Sequence, residues 1–148
     1  MVSITDASYS FPISKDSITR IVTNNSSHQG AYENSVDFAC ELGTPVLAAA
    51  EGVVTRARDD NDQYGEDPKY GQLVNYITIK HAHNELSEYL HLAKDSALVK
   101  VGDRVKPGQH IATTGLSGWM TAPHLHFMVY KQVSESEDFQ CLKINFEE

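Results

Sequence analysis

Cysteine is scarce: Cys40 and Cys141 are the only two. So few exclude the disulfide framework of a small secreted scaffold. They read as two buried core thiols, since free Cys is among the most buried residue types; pairing in an oxidising compartment is the alternative. Basic residues are also in short supply, with 12 Lys and Arg against 20 Asp and Glu and a formal net charge of −8. That balance, with the cations scattered, excludes a nucleic-acid backbone or an anionic membrane surface as the main partner. No apolar run reaches the roughly 18 residues that a spanning helix needs, so no membrane insertion is expected. The opening "MVSITDASYSFPISKD" lacks the basic stretch followed by an apolar one that marks a secretory signal. Also missing are a phosphate-binding loop, a dinucleotide fingerprint and an HExxH helix. "GLSGW" (115–119) fails as a nucleophile elbow, because Trp119 stands where the second Gly belongs.

What is present points to an all-β fold. Short β-branched runs alternate with Gly, Pro and Asn, while no stretch keeps helical periodicity over several turns. "GTPVLAAAEGVVTRAR" (43–58) reads as two strands turning at Glu51-Gly52, and "QLVNYITIKH" (72–81) as a half-buried strand. Further strands are expected at 87–92, 110–115, 124–130 and 141–146. At 148 residues the chain is expected to be one domain, a compact antiparallel sandwich or barrel-like fold with long loops around a groove. The acidic segment "DDNDQYGEDPKYG" (59–71) begins like a calcium loop, but Tyr64 and Gly71 occupy ligand places, so it reads as a solvated loop.

The chemistry lies in histidine placement. "APHLHFMVY" (122–130) puts His124 and His126 on one strand face, with Leu125 and Phe127 on the other. Two imidazoles so placed can share a metal, or divide into one ligand and one proton-handling group; a merely hydrogen-bonded pair is the plain reading. His81 and His83 repeat the spacing in "KHAHNE", but at a turn where water is expected to reach them. In "EYLHL", His91 is expected to share a face with Tyr89 while Leu90 and Leu92 pack behind. Asp37 in "SVDFAC" sits in an apolar run and needs a partner, from Arg20, Lys80, a main-chain turn or a metal. Cys40 points away from Asp37 by strand alternation. His28 lies in the polar stretch "NNSSHQGAYE" and reads as a surface histidine unless a metal recruits it. A catalytic zinc takes three protein ligands and leaves a fourth place open.

The ordered set "HQGAYENSVDFA", "GTPVLAAAEGVV", "YLHL", "VGDRVKPGQHIATTG" and "APHLHF" resembles the lysostaphin-type, LytM-like zinc endopeptidases, which cut the peptide part of bacterial peptidoglycan. The resemblance runs from about Tyr9 to Tyr130. It implies that His28, Asp37 and His126 hold one Zn2+ per chain and that His91 and His124 form the catalytic pair. It further implies a peptidoglycan peptide as substrate and a place in the cell envelope or outside the cell.

Two other readings start from the same residues. A LytM-like binding or activator module would keep the fold without catalysis; such members typically lose ligands, whereas all five positions are filled here. A histidine phosphocarrier-like domain would account for the "VGDRVKPGQHIATTG" hairpin and a histidine pair, but it would need neither Asp37 nor His28. Bound zinc separates these classes.

Overall fold

The structure is a computed structural model that describes residues 4–23, 32–120, 122–131 and 140–147. Its strands are β1 (Ile4–Tyr9), β2 (Arg20–Val22), β3 (Val36–Ala39), β4 (Pro45–Leu47), β5 (Gly52–Arg58), β6 (Tyr64–Gly65), β7 (Tyr76–Lys80), β8 (Glu85–Leu90), β9 (Arg104–Val105), β10 (His110–Thr113), β11 (Gly118–Trp119), β12 (His124–Lys131) and β13 (Lys143–Phe146). The fold is all-β, as its alternating patterns imply. Among the described residues no helix is long and apolar enough to cross a membrane.

One seven-stranded antiparallel sheet, ordered β2-β3-β12-β8-β7-β5-β9, carries the architecture. The longest strand, β12, lies third in that order because "HLHFMVY" supplies the side chains for both faces. Leu125, Phe127 and Val129 point into the core and are fully buried. Phe127 packs against Tyr89 of β8 and Phe38 of β3, with ring centroids 5.1 and 6.4 Å apart. Each such side chain, once buried, contributes about 1.5–3 kcal/mol. The short antiparallel pair β4-β10 brings Val46, Ile111 and Ala112 to the same core.

Two further pairs are parallel, β1-β13 and β6-β11, so the antiparallel expectation holds for the main sheet but not for these additions. β1 is tied down by a buried carboxylate rather than by the main ladder. Glu85 accepts from the amides of Asp6 (2.6 Å) and Ala7 (3.2 Å) and from the Tyr9 hydroxyl (2.8 Å). Tyr9 in turn lies edge-on to the His81 ring at 5.3 Å.

That cover corrects the expectation that water reaches His81. Its ring is buried, with Nδ1 2.6 Å from the Glu51 carbonyl oxygen and Nε2 2.7 Å from Ser87 Oγ. A carbonyl only accepts, so Nδ1 carries the proton and Ser87 donates to Nε2. Burial pulls the His81 pKa below its usual value, against the opposing pull of the Glu51 carbonyl and Glu85. The turn expected after it is real: His83 and Asn84 both take left-handed backbone angles. Cys40 and Cys141 are both buried and unpaired as thiols.

The 59–71 segment has no buried residue, as a solvated loop should, but it carries local structure. It contains β6 and a 3-10 turn, Pro68–Leu73, whose first residues are capped by Asp67 accepting from the Lys69 amide at 2.9 Å. That turn takes residues 72 and 73 from the strand expected over 72–81.

Candidate functional site

The non-core face of the sheet gathers polar groups where β3, β12 and β8 run side by side. Asp37 pairs in register with His126, and His126 pairs with Leu90 on the other side. Strand alternation therefore puts Asp37, His124 and His126 on one face, opposite Phe38, Leu125 and Phe127. Asp37, His91 and His126 are all buried.

His91 arrives there by a different route from the one its sequence suggests. Straight alternation after β8 would send it to the Tyr89 side, which is core. Instead its φ of +69° turns the chain out of the strand conformation. The ring then faces the other histidines, with centroids 4.6 Å from His124 and 6.1 Å from His126. Tyr89 stays in the core, its hydroxyl accepting from the Ala49 amide at 2.9 Å. The expectation that Tyr89 and His91 share a face is thus overturned by one left-handed residue.

Hydrogen-bond partners fix the ring tautomers. His91 Nδ1 is 2.7 Å from the Ser117 carbonyl oxygen, and His124 Nδ1 is 2.8 Å from that of Ala122. Carbonyls only accept, so both Nδ1 atoms carry hydrogen, and each neutral ring keeps its lone pair on Nε2. His124 Nε2 lies 3.7 Å from Asp37 Oδ1, and His126 Nδ1 lies 2.9 Å from the same oxygen. Burial, together with repulsion from His124 and His126, pushes the His91 pKa down to about 3, against the pull of the Ser117 carbonyl and Asp37. His91 is therefore neutral at physiological pH, with Nδ1 protonated and Nε2 left as an acceptor.

Whether these residues suit a zinc ion can be tested on the Asp37–His126 pair. Two ligand atoms of a tetrahedral zinc, each about 2.0–2.2 Å from the ion, stand roughly 3.3–3.6 Å apart. The observed 2.9 Å, a hydrogen bond in this structure, is roughly half an ångström short of that separation, so a small parting of the two side chains would admit the ion. A buried carboxylate facing imidazole nitrogens is also a donor set of the type zinc prefers. Among the described residues no three His, Cys, Asp or Glu side chains form a complete metal-binding group. His28, the third expected ligand, lies outside those residues.

Residues 31–138 match the family model described as Peptidase family M23. The chain belongs to peptidase family M23. It is 40% identical over 115 residues to the peptidoglycan DD-endopeptidase ShyA of Vibrio cholerae, covering 78% of this chain and 23% of that protein. It is 42% identical over 98 residues to the glycyl-glycine endopeptidase ALE-1 of Staphylococcus capitis, covering 66% of this chain and 24% of that protein. Among solved structures it is similar to a zinc containing peptidase from Vibrio cholerae, with a TM-score of 0.60 and 35% identity over 83% of this chain and 36% of the other. The chain spans a quarter or less of the length of the curated relatives it matches.

This M23 chain also uses groups that its sequence does not advertise. The carbonyls of Ser117 and Ala122 orient two histidines, yet any residue supplies a carbonyl. Gly118 carries φ +83°, and a Cβ there would meet Val74 at 2.7 Å. Gly115 donates its amide to the His91 carbonyl at 2.9 Å and passes so close to Ala93 that a Cβ would lie 2.3 Å from its Cα. The two glycines flanking "LS" in "GLSG" were the available signal that backbone packs tightly there.

Proposed function

We propose that this chain is a zinc-dependent endopeptidase that hydrolyses peptide bonds in bacterial peptidoglycan, in stem-peptide cross-links or in glycine bridges, acting in the cell envelope or outside the cell. In this reading His28, Asp37 and His126 hold one zinc ion per chain, and His91 and His124 are the catalytic pair. One observation carries it: His91, His124, His126 and Asp37, from the two strands β3 and β12 and the end of a third, β8, converge on one face of the sheet. Membership of family M23 and the substrates named for ShyA and ALE-1 support the substrate class.

Zinc, when bound, supplies a Lewis acid that polarises the scissile carbonyl and makes a water molecule acidic near neutral pH. The chain's own residues handle the protons. His91 and His124 each offer an Nε2 lone pair beside the Asp37–His126 pair, so between them they take a proton from the attacking water and return one to the leaving amine. Protonated histidine also steadies negative charge on the attacked carbonyl oxygen. Such proton handling requires no glutamate base, which agrees with the absence of HExxH. Asp37 contributes the negative charge that retains a cation in a buried place.

The test is digestion of purified peptidoglycan by the zinc-loaded chain, with walls cross-linked directly and walls cross-linked through glycine, and mass spectrometry of the fragments. New amino termini from one wall type, absent with His124→Ala, are expected. Protein carrying one zinc per chain that leaves both walls intact would overturn the reading in favour of a binding module.

A further inference from the structure

His91 is held by more than the single bond to its ring. Its left-handed backbone is clamped by the Gly115 amide on its own carbonyl, and its neighbour Leu92 is gripped from two sides. The Leu92 carbonyl accepts from Ser117 Oγ at 2.9 Å and from Asn75 Nδ2 at 3.0 Å. Ser117 Oγ accepts in turn from the Asn75 amide at 3.0 Å, and the Leu92 amide donates to the Asn75 carbonyl at 3.3 Å. Asn75 is itself braced, donating from Nδ2 to the Asn61 carbonyl at 2.7 Å and accepting from the Asn61 amide at 3.0 Å. Ser117 and Asn75 are both fully buried. Two segments distant in sequence, around 75 and 117, are thereby locked to the strand end that bears His91.

We propose that Asn75 and Ser117 are positioning residues, which fix the His91 ring and its Nδ1–H tautomer so that Nε2 faces the reacting groups as an acceptor. The proposal rests on the peptidase reading above. Its physical basis is directional. Ser117 spends its hydroxyl hydrogen on the Leu92 carbonyl and its lone pair on the Asn75 amide, so the side chain has one orientation. That orientation sets the peptide whose carbonyl receives His91 Nδ1–H. A misplacement of a proton-handling group by about 1 Å is enough to lower a rate about a hundredfold. Packing alone would ask only that these buried groups be satisfied; positioning asks that one nitrogen of His91 be protonated and the other not.

The experiment combines 15N NMR of the histidine side chains at neutral pH with steady-state kinetics on purified peptidoglycan fragments, on the zinc-loaded wild type, Ser117→Ala and Asn75→Ala. Wild-type His91 should show protonated Nδ1 and unprotonated Nε2. In the variants its two nitrogens should move toward averaged shifts, while kcat falls roughly tenfold to a hundredfold and KM and zinc content stay nearly unchanged. Wild-type His91 protonated on Nε2 would overturn the proposal without any variant being needed. So would Ser117→Ala that folds, hydrolyses at the wild-type rate and keeps the wild-type tautomer. A protein that shows the expected tautomer loss but no hydrolysis at all would sink the peptidase reading alone and leave the positioning of the ring supported.

Discussion

Asp37 Oδ1 and His126 Nδ1 face each other at 2.9 Å, directly across the β3–β12 pairing. An ion bound between them would staple two neighbouring strands, the second and third of the main sheet. Ligands that bind only the folded state stabilise it, by about 2.7 kcal/mol at a free concentration a hundred times Kd. Zinc titrated into the metal-free protein should therefore raise Tm by several degrees, and Asp37→Ala should remove that rise. Calorimetry with and without zinc measures both. An equal rise in wild type and variant would place the bound ion elsewhere.

Glu85 is the second load on the sheet. It receives two amides and a hydroxyl from β1, so Glu85→Ala would leave three donors without their acceptor. Losing charge-assisted bonds of this type costs on the order of 3 kcal/mol or more. Urea unfolding should show a lowered midpoint, and hydrogen exchange should show β1 amides opening before those of β12. Undiminished protection of the Asp6 and Ala7 amides would contradict this anchoring role.

Stability should depend on pH with a defined sign. His81 and His91 are both held below the ordinary histidine value of 6.5, His91 at about 3, first because burial disfavours the charged ring. The unfolded chain then binds more protons than the folded one below about pH 6.5, so these rings' contribution is complete above that pH and lost as pH falls. Thermal melts of the metal-free protein should show Tm dropping on acidification from near pH 6.5 toward 4. The drop should be shallower in His81→Gln, which loses one of the two rings. A Tm that rises on acidification through that window would show the signs to be wrong.

The longest strand, β12, is legible because its two faces differ in chemistry: Leu125, Phe127 and Val129 alternate with His124 and His126, and period two is what a sheet requires. Asp37 was legible for the complementary reason, a carboxylate in an apolar run that needed a partner. Alternation assigns His91 to the Tyr89 face, the wrong direction, since it cannot register a single left-handed φ. The burial of His81 leaves no local trace, because its cover, Tyr9, comes from a strand joined to it only in three dimensions. The parallel pairs β1-β13 and β6-β11 were hidden likewise, being short and formed between segments far apart in the chain. The carbonyls that orient His91 and His124 had no residue-type signature at all.

Zinc content of the purified protein, by elemental analysis of wild type, His126→Ala and His124→Ala side by side, decides whether the Asp37–His126 pair holds a metal. About one zinc per chain is expected in wild type and His124→Ala, and none retained in His126→Ala. No zinc in a wild type prepared without chelator and then offered the metal would contradict it, as would full zinc content in His126→Ala.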